Sequence, residues 1–125
     1  MSEYMDGILQ YSAEEVQEKL KEPGTVIIDV REPEEYEASH IPGVPLLPMQ
    51  QIPDFAEAFS PETEYIFICR SGRRSHHVSM FLKDQGIGKA ANFDGGMLDW
   101  DGPSVDGPEV QLKAPEELLD WHKRK

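Results

Sequence analysis

Short apolar runs alternate along the chain with segments whose apolar residues recur at helical spacing. The runs are rich in aromatic and β-branched residues, which is typical of strands that are covered on both faces. They predict strands at residues 8–11, 25–28, 44–47, 65–68 and 90–93. The intervening segments predict helices at residues 12–20, 33–37, 52–59 and 75–85. Strands that alternate with helices indicate an α/β layer structure.

The residues after 101 have a different character. Residues 102–108 contain two Gly-Pro pairs and predict a linker, and residues 115–121 predict a short helix with acids at its start and bases from His122 to Lys125 at its end. We therefore expect one compact domain at residues 7–101, followed by a linker and short C-terminal helical tail at residues 102–125. The tail either docks on the domain or stays mobile, and the sequence leaves both open.

The predicted strand at residues 65–68 delivers the only cysteine of the chain, Cys69, to its carboxyl end. A helix is predicted to start a few residues later, and the free N–H groups of a helix N-terminus point towards an anion. A thiol held there ionises more readily, and the thiolate is the nucleophilic form. Cys69 is therefore the candidate nucleophile, although a lone cysteine at a strand end is more often a small buried hydrophobic residue.

The residues that follow Cys69 favour the nucleophile. Three of the twelve Lys and Arg residues lie in this loop, within an otherwise acidic chain, and they would attract a small anion. A solvated charge cluster without function is the alternative. Gly72 allows a positive φ angle, through which successive N–H groups converge on one point. The candidate substrate-binding residues are Arg70, Ser71, Gly72, Arg73, Arg74 and Ser75.

Polar residues also follow the predicted strand at residues 25–28. Because ligands bind outside the carboxyl ends of parallel strands, we expect Asp29 and Arg31 to share an edge of the sheet with the cysteine loop. Arg31 is expected to pair with a nearby carboxylate such as Glu35. His40 is expected to be structural rather than a proton donor, as lone histidines usually are. Asp29, Arg31 and His40 are thus candidate supporting residues.

Composition limits the classes of function. A chain of 125 residues with 38% hydrophobic residues suits one core, and a net charge of −12 disfavours binding to a nucleic-acid backbone. No apolar stretch reaches the roughly 18 to 20 residues that span a bilayer, and residues 1–6 are acidic, unlike a signal peptide. We expect a cytoplasmic protein without a membrane partner. One cysteine excludes an internal disulfide and a zinc site of paired cysteines, and we expect no metal and no cofactor.

Three motifs resemble, in the same order, those of the rhodanese-like sulfurtransferases. The matching stretches are residues 69–75 (Cys-Arg-Ser-Gly-Arg-Arg-Ser), residues 29–32 with 35–36 and 40–43, and residues 95–100 (Gly-Gly-Met-Leu-Asp-Trp). The first resembles the active-site loop of the family, and together they cover residues 9–100. The resemblance implies a rhodanese-like three-layer domain, with a mostly parallel five-stranded sheet flanked by helices. It also implies that His40 is a framework residue that positions a turn.

The resemblance implies a reaction in which a sulfane sulfur moves from thiosulfate or a persulfide donor to a thiol or cyanide acceptor. Cys69 would carry the sulfur as a persulfide in a two-step covalent cycle. The implied partners are a small anionic sulfur donor and a thiol acceptor, such as thioredoxin or a low-molecular-weight thiol. Since the chain has no second cysteine, the acceptor must come from outside.

Two alternatives stay open at the level of sequence. Cysteine-dependent phosphatases and arsenate reductases also place a cysteine in a loop before a helix, but their common pattern carries an arginine six positions later, where this chain has Ser75. A non-catalytic rhodanese-like interaction module is the other alternative. Modules of that kind often lack the cysteine, so Cys69 weighs against it.

Overall fold

One mixed five-stranded sheet forms the centre of the molecule in the computed structural model, which describes residues 3–123. The strands are β1 (Glu3–Met5), β2 (Ile8–Tyr11), β3 (Thr25–Asp29), β4 (Glu64–Ile68) and β5 (Ala90–Phe93). Their order across the sheet is β1-β2-β5-β4-β3. β1 runs antiparallel to β2, and the other neighbours run parallel. The prediction of a mostly parallel five-stranded sheet is confirmed.

Helices cover both faces of the sheet. The α-helices are α1 (Ala13–Lys19), α2 (Pro33–Ala38), α3 (Arg73–Asp84) and α4 (Pro115–His122), and 3-10 helices span Met49–Ala58 and Gly96–Asp99. Successive β4 residues point to opposite faces. Tyr65 and Phe67 pack in a core with α3, α4 and the first 3-10 helix, whereas Ile66 and Ile68 pack in a second core with α1. The three-layer arrangement is therefore confirmed.

The predicted strand at residues 44–47 is wrong. Leu46 makes isolated bridges, one of them to Asp29, and no ladder extends from them. Pro45 and Pro48 flank this contact and have no N–H group to donate, so the segment cannot continue as a strand.

The fifth strand is instead β1, which sequence analysis did not predict. β1 pairs with β2 through a two-residue turn at Asp6 and Gly7, whose φ angles are 55° and 78°. Positive φ at both positions is the hairpin turn that Asp-Gly favours. The Asp-Gly pair that indicates such a turn is present in the sequence, but Glu3–Met5 is exposed and shows no apolar alternation.

The predicted helix at residues 52–59 is a 3-10 helix that starts earlier, at Met49. Its buried residues are Ile52, Phe55 and Ala58. This spacing of three matches the three residues per turn of a 3-10 helix, so every third side chain enters the core.

The C-terminal tail docks on the sheet. Leu118 is fully buried in the first core, and the imidazole Nε2 of His122 lies 2.7 Å from the hydroxyl oxygen of Tyr65. The basic residues Arg124 and Lys125, expected at the end of this helix, lie outside the described residues. No helix within residues 3–123 is both long and apolar enough to cross a membrane.

Candidate active site

The carboxyl ends of β3 and β4 meet at one edge of the sheet, as predicted. Asp29 pairs with Ile68 in the parallel ladder, and the N–H of Val30 donates to the carbonyl oxygen of Ile68 at 2.8 Å. Cys69 follows Ile68 directly. The register of the two strands therefore brings the predicted polar residues and the cysteine loop to the same edge.

Hydrogen-bond donors converge on the sulfur of Cys69. The backbone N–H of Gly72 donates to Sγ at 3.1 Å, and the Ser75 hydroxyl donates to it at 3.3 Å. Gly72 has a φ angle of 89°, as predicted, and caps α3, which begins at Arg73 rather than at Ser75. The loop between the strand and the helix is thus short and wraps around the thiol. The Cys69 side chain is 0% exposed.

These donors control the acidity of the thiol. Burial acts to raise the pKa of Cys69, because a buried thiolate loses its hydration. The Ser75 hydroxyl and the backbone N–H groups of Ser75, Ser71 and Gly72 hydrogen-bond to the sulfur and outweigh burial, so the pKa of Cys69 is lowered overall. The thiol environment favours the nucleophilic form.

The motif at residues 95–100 is hydrogen-bonded to the backbone of the cysteine loop. The N–H groups of Met97 and Leu98 donate to the carbonyl oxygens of Cys69 and Arg70, at 2.9 and 3.0 Å. A Cβ atom on Gly96 would lie 2.5 Å from the Cys69 oxygen and 2.6 Å from the Arg70 oxygen. Glycine is therefore required at this position, because any side chain would push the loop away.

The three arginines of the loop are in different situations. Arg74 donates to both carboxylate oxygens of Glu35, each at 2.8 Å. This hydrogen bonding lowers the pKa of Glu35 to about 2. Arg70 and Arg73 are exposed, and neither guanidinium makes a hydrogen bond or ion pair with any described residue. Two of the three predicted anion-attracting arginines therefore have open donors at the surface, and Arg74 ties α3 to α2.

Arg31 pairs with a nearby carboxylate, as expected, but the partner is Asp29 and not Glu35. Arg31 donates from Nε and Nη2 to the carboxylate of Asp29, at 3.0 and 2.9 Å, and from Nη2 to the carbonyl oxygen of Ser39 at 2.7 Å. The side chains of Asp29 and Arg31 are both buried, and a buried carboxylate needs a cationic partner. Because Asp29 is buried and only two residues away, Arg31 binds it and not Glu35.

His40 is a framework residue in the structure. Its ring is fully buried and stacks on Tyr36 with 3.7 Å between ring centroids. Nδ1 lies 2.9 Å from the Tyr36 carbonyl oxygen, and Nε2 lies 2.8 Å from the Glu109 carboxylate. Both ring nitrogens are therefore occupied in holding α2 to the tail.

Sequence analysis missed one residue that touches the loop. The side-chain amide of Asn92, in β5, donates to the carbonyl oxygen of Gly72 at 3.0 Å and to Gln10 Oε1 at 2.8 Å. The available signal was a polar residue inside an otherwise apolar strand, at the strand end that faces the predicted site.

Comparisons with known proteins agree with this geometry. The family model described as Rhodanese-like domain matches residues 12–102. YtwF of Bacillus subtilis (strain 168), named as a candidate sulfurtransferase, is 40% identical over 96 residues, which cover 76% of this chain and 92% of YtwF. YrkF of the same organism, named as a candidate sulfur carrier protein, is 39% identical over 102 residues, or 81% of this chain. The match spans only 55% of the length of YrkF.

A solved structure shows the same fold. The crystal structure of a rhodanese-like domain protein from Staphylococcus aureus superposes with a TM-score of 0.68 at 34% sequence identity, covering 82% of this chain and 98% of that one.

Proposed function

The chain belongs to the rhodanese-like family of sulfurtransferases, and from this membership we propose that Cys69 carries a sulfane sulfur from an anionic donor to a thiol acceptor. One observation carries the proposal: the Gly72 N–H and the Ser75 hydroxyl both point at the Cys69 sulfur. Donors placed in this way stabilise negative charge on sulfur. They suit the thiolate that attacks the donor in the first step and leaves again in the second.

The first step forms the persulfide. The Cys69 thiolate attacks the outer sulfur of thiosulfate, the new sulfur–sulfur bond forms, and the old one breaks with its electron pair leaving on sulfite. Arg70 and Arg73 attract the donor dianion through their open guanidinium groups. A persulfide donor reacts in the same way and releases its thiolate.

The second step regenerates the thiolate. An acceptor thiolate, or cyanide, attacks the outer sulfur of the persulfide, takes it, and leaves the bonding electrons on Cys69. The cycle has two half-reactions and needs no net oxidant or reductant. Because Cys69 is the only cysteine, the acceptor is a separate molecule, such as thioredoxin or a low-molecular-weight thiol. Reduced thiols of this kind belong to a reducing compartment such as the cytoplasm.

The buried sulfur sets a condition on both steps. Cys69 has no exposed surface, whereas Arg70 and Ser71 in the same loop are exposed. We infer that the loop opens when the donor enters, because the sulfur has no exposed surface in this conformation. A short loop that shields its thiol until then protects it from oxidation in water.

Phosphatase and arsenate reductase chemistry fit the loop less well. Those enzymes need a cationic clamp for the oxygens of the transferred group, and the position of their arginine is held here by Ser75, which is fully buried and bonded to the sulfur. A non-catalytic module would have no need of donors that lower the pKa of Cys69.

We expect incubation with thiosulfate to add the mass of one sulfur atom to the intact protein, and cyanide to remove it. The Cys69→Ser variant should gain nothing and lose at least about a thousandfold in thiosulfate-to-cyanide transfer, because it lacks the nucleophile. Intact-protein mass spectrometry and thiocyanate release measure the two steps.

The control is the circular dichroism spectrum of Cys69→Ser, which should match the parent protein. A folded parent protein that takes no sulfur from thiosulfate or from a persulfide donor would contradict the proposal. Faster hydrolysis of an aryl phosphate than transfer of sulfur would favour the phosphatase alternative.

A further inference from the structure

A chain of hydrogen-bonded side chains runs from the β1–β2 turn to the cysteine loop. The Asn92 amide nitrogen is bonded to the Gly72 carbonyl oxygen and to Gln10 Oε1. Gln10 Nε2 lies 3.1 Å from His76 Nδ1, and His76 Nε2 lies 2.9 Å from a carboxylate oxygen of Asp6. Asn92, Gln10 and His76 are all buried. The loop is therefore connected to the exposed Asp6 in the β1–β2 turn through three buried polar side chains.

The direction of each bond in this chain is determined by its neighbour. Because Gln10 Oε1 accepts from Asn92, Gln10 Nε2 must be the donor to His76. His76 Nδ1 is then the acceptor, and Nε2 carries the proton that is donated to Asp6. The three side chains thus fix one another's orientation, and Asn92 is held with its NH₂ group towards the loop.

Asn92 keeps this orientation although its own acceptor is left over. The buried Asn92 Oδ1 has no hydrogen-bond partner among the described residues, which is uncommon for a buried polar atom. Turning the amide over would not help, since it would set Oδ1 against the oxygens of Gly72 and Gln10. The arrangement therefore favours the bond to Gly72 over full satisfaction of Asn92.

Gly72 is the point at which this chain reaches the thiol. Its carbonyl oxygen accepts from Asn92 and from the N–H of His76, in the first turn of α3, while its own N–H donates to the Cys69 sulfur. A Cβ atom on Gly72 would lie 2.9 Å from the Gly95 nitrogen, so the loop rests directly on the end of β5. A shift of Gly72 would disturb all three of these hydrogen bonds together.

We propose that Asn92 is a positioning residue for Cys69. Its hydrogen bond to the Gly72 carbonyl oxygen fixes the position of Gly72, whose N–H donates to the thiolate. Gln10 and His76 hold the Asn92 amide in the orientation that this hydrogen bond requires. The proposal rests on Cys69 as the nucleophile of the proposed function. It concerns the acidity of the thiol, however, which is measurable without any sulfur donor.

The test is the pH profile of Cys69 alkylation by iodoacetamide in the full chain. Asn92→Leu keeps the approximate shape of the side chain, removes the donor to the Gly72 carbonyl oxygen and adds no charge near the thiol. We expect its alkylation midpoint to rise by about one pH unit, a roughly tenfold lower thiolate fraction below the midpoint. Gln10→Leu, which frees the amide of Asn92 to rotate, should shift it less in the same direction. In sulfur transfer, kcat should fall while KM for thiosulfate stays.

Ser79→Ala is the matched control. The buried Ser79 hydroxyl also lies between α3 and β5, near the carbonyl oxygens of Ser75 and Ala91, but it does not touch Gly72. We expect this variant to lower the melting temperature and leave the midpoint unchanged. Unmoved midpoints in Asn92→Leu and Gln10→Leu, or an equal shift in Ser79→Ala, would overturn the proposal.

Two further outcomes are decided in advance. If Asn92→Leu does not fold, Gln10→Leu alone decides, since it replaces no residue of the loop or of β5. If the midpoints shift as expected but thiosulfate adds no sulfur to the parent protein, the proposed function fails and the positioning role stands.

Discussion

Two polar clusters lie side by side at the carboxyl ends of β3 and β4, and they are built in opposite ways. In the β3 cluster the Asp29 carboxylate is bonded to Arg31, and both ring nitrogens of His40 have partners. In the β4 cluster Arg70 and Arg73 have no partner among the described residues, and donors converge on a thiol. Residue type alone does not separate them. In the β3 cluster the polar groups bind one another and hold a turn, whereas in the β4 cluster the guanidinium donors stay available for a ligand.

The largest effect on stability should come from breaking the ion pair of the β3 cluster. Arg31→Leu would leave the Asp29 carboxylate buried without its cation, and we expect a loss of about 3–5 kcal/mol in the free energy of unfolding. Urea denaturation measures it. The alkylation midpoint of Cys69 in the folded variant should not change, because the two clusters do not share a hydrogen bond.

The double variant Asp29→Asn with Arg31→Leu is the control. It removes the uncompensated charge and should recover part of the stability. Equal losses in the single and double variants, or a moved alkylation midpoint, would mean that the two clusters are not separate in the way described.

A smaller effect is expected at the link between α2 and α3, and it depends on pH. Arg74 lowers the pKa of Glu35 to about 2, from an unfolded value of 4.5. A carboxyl group with a lowered folded pKa contributes stability above its unfolded pKa and loses it as pH falls through the folded one. We expect about 1–2 kcal/mol of stability to be lost in this way between about pH 5 and pH 2, allowing for partial exposure of the pair.

Glu35→Gln should therefore be less stable than the parent at pH 6 and should lose less on acidification. Thermal unfolding at a series of pH values measures both. Glu22→Gln is a suitable control, because Glu22 pairs with Lys19 at the exposed surface far along the chain from the loop. An identical acid profile for Glu35→Gln and the parent would show that the Arg74 pair is not what stabilises the folded protein at neutral pH.

The smallest effects distinguish the hydrogen-bond donors of the β4 cluster from its arginines. Ser75→Ala removes the hydroxyl donor to Sγ and should raise the alkylation midpoint of Cys69 by about 0.5–1 pH unit, the value of one modest hydrogen bond. Arg73→Ala removes an exposed, solvent-screened charge and should raise it by about 0.3 unit or less. A larger shift in Arg73→Ala than in Ser75→Ala would assign control of the thiol to the arginines instead of the hydrogen bonds.

The sequence predicted the β4 cluster well because its parts are contiguous. An apolar strand, a cysteine, a glycine and a helix follow one another, so local rules fix the loop conformation, including the positive φ of Gly72. The parallel pairing of the two predicted strands likewise places Asp29 beside Ile68.

The pairings across the fold were beyond the sequence for a physical reason. Arg31 binds Asp29 and Arg74 binds Glu35, and these partners are selected by burial and distance, which exist only after folding. Asn92 reaches Gly72 across twenty residues, and neither residue carries a mark of the other. The 44–47 segment failed differently, since its apolar pattern was read without the missing N–H groups of Pro45 and Pro48.

The docking of α4 has a consequence for the size of the unit that evolution or an engineer can move. Tyr65, four residues before Cys69, is bonded through its hydroxyl to His122 and to the N–H of Ser60. Leu118 fills the core on the same face. The family model ends at residue 102, so a gene fusion cut there would keep the cover of α3 and the first 3-10 helix over β4 but would lose Leu118 from the core and His122 from Tyr65. We expect such a module to have a lower melting temperature than the full chain, which makes α4 part of the smallest transferable piece.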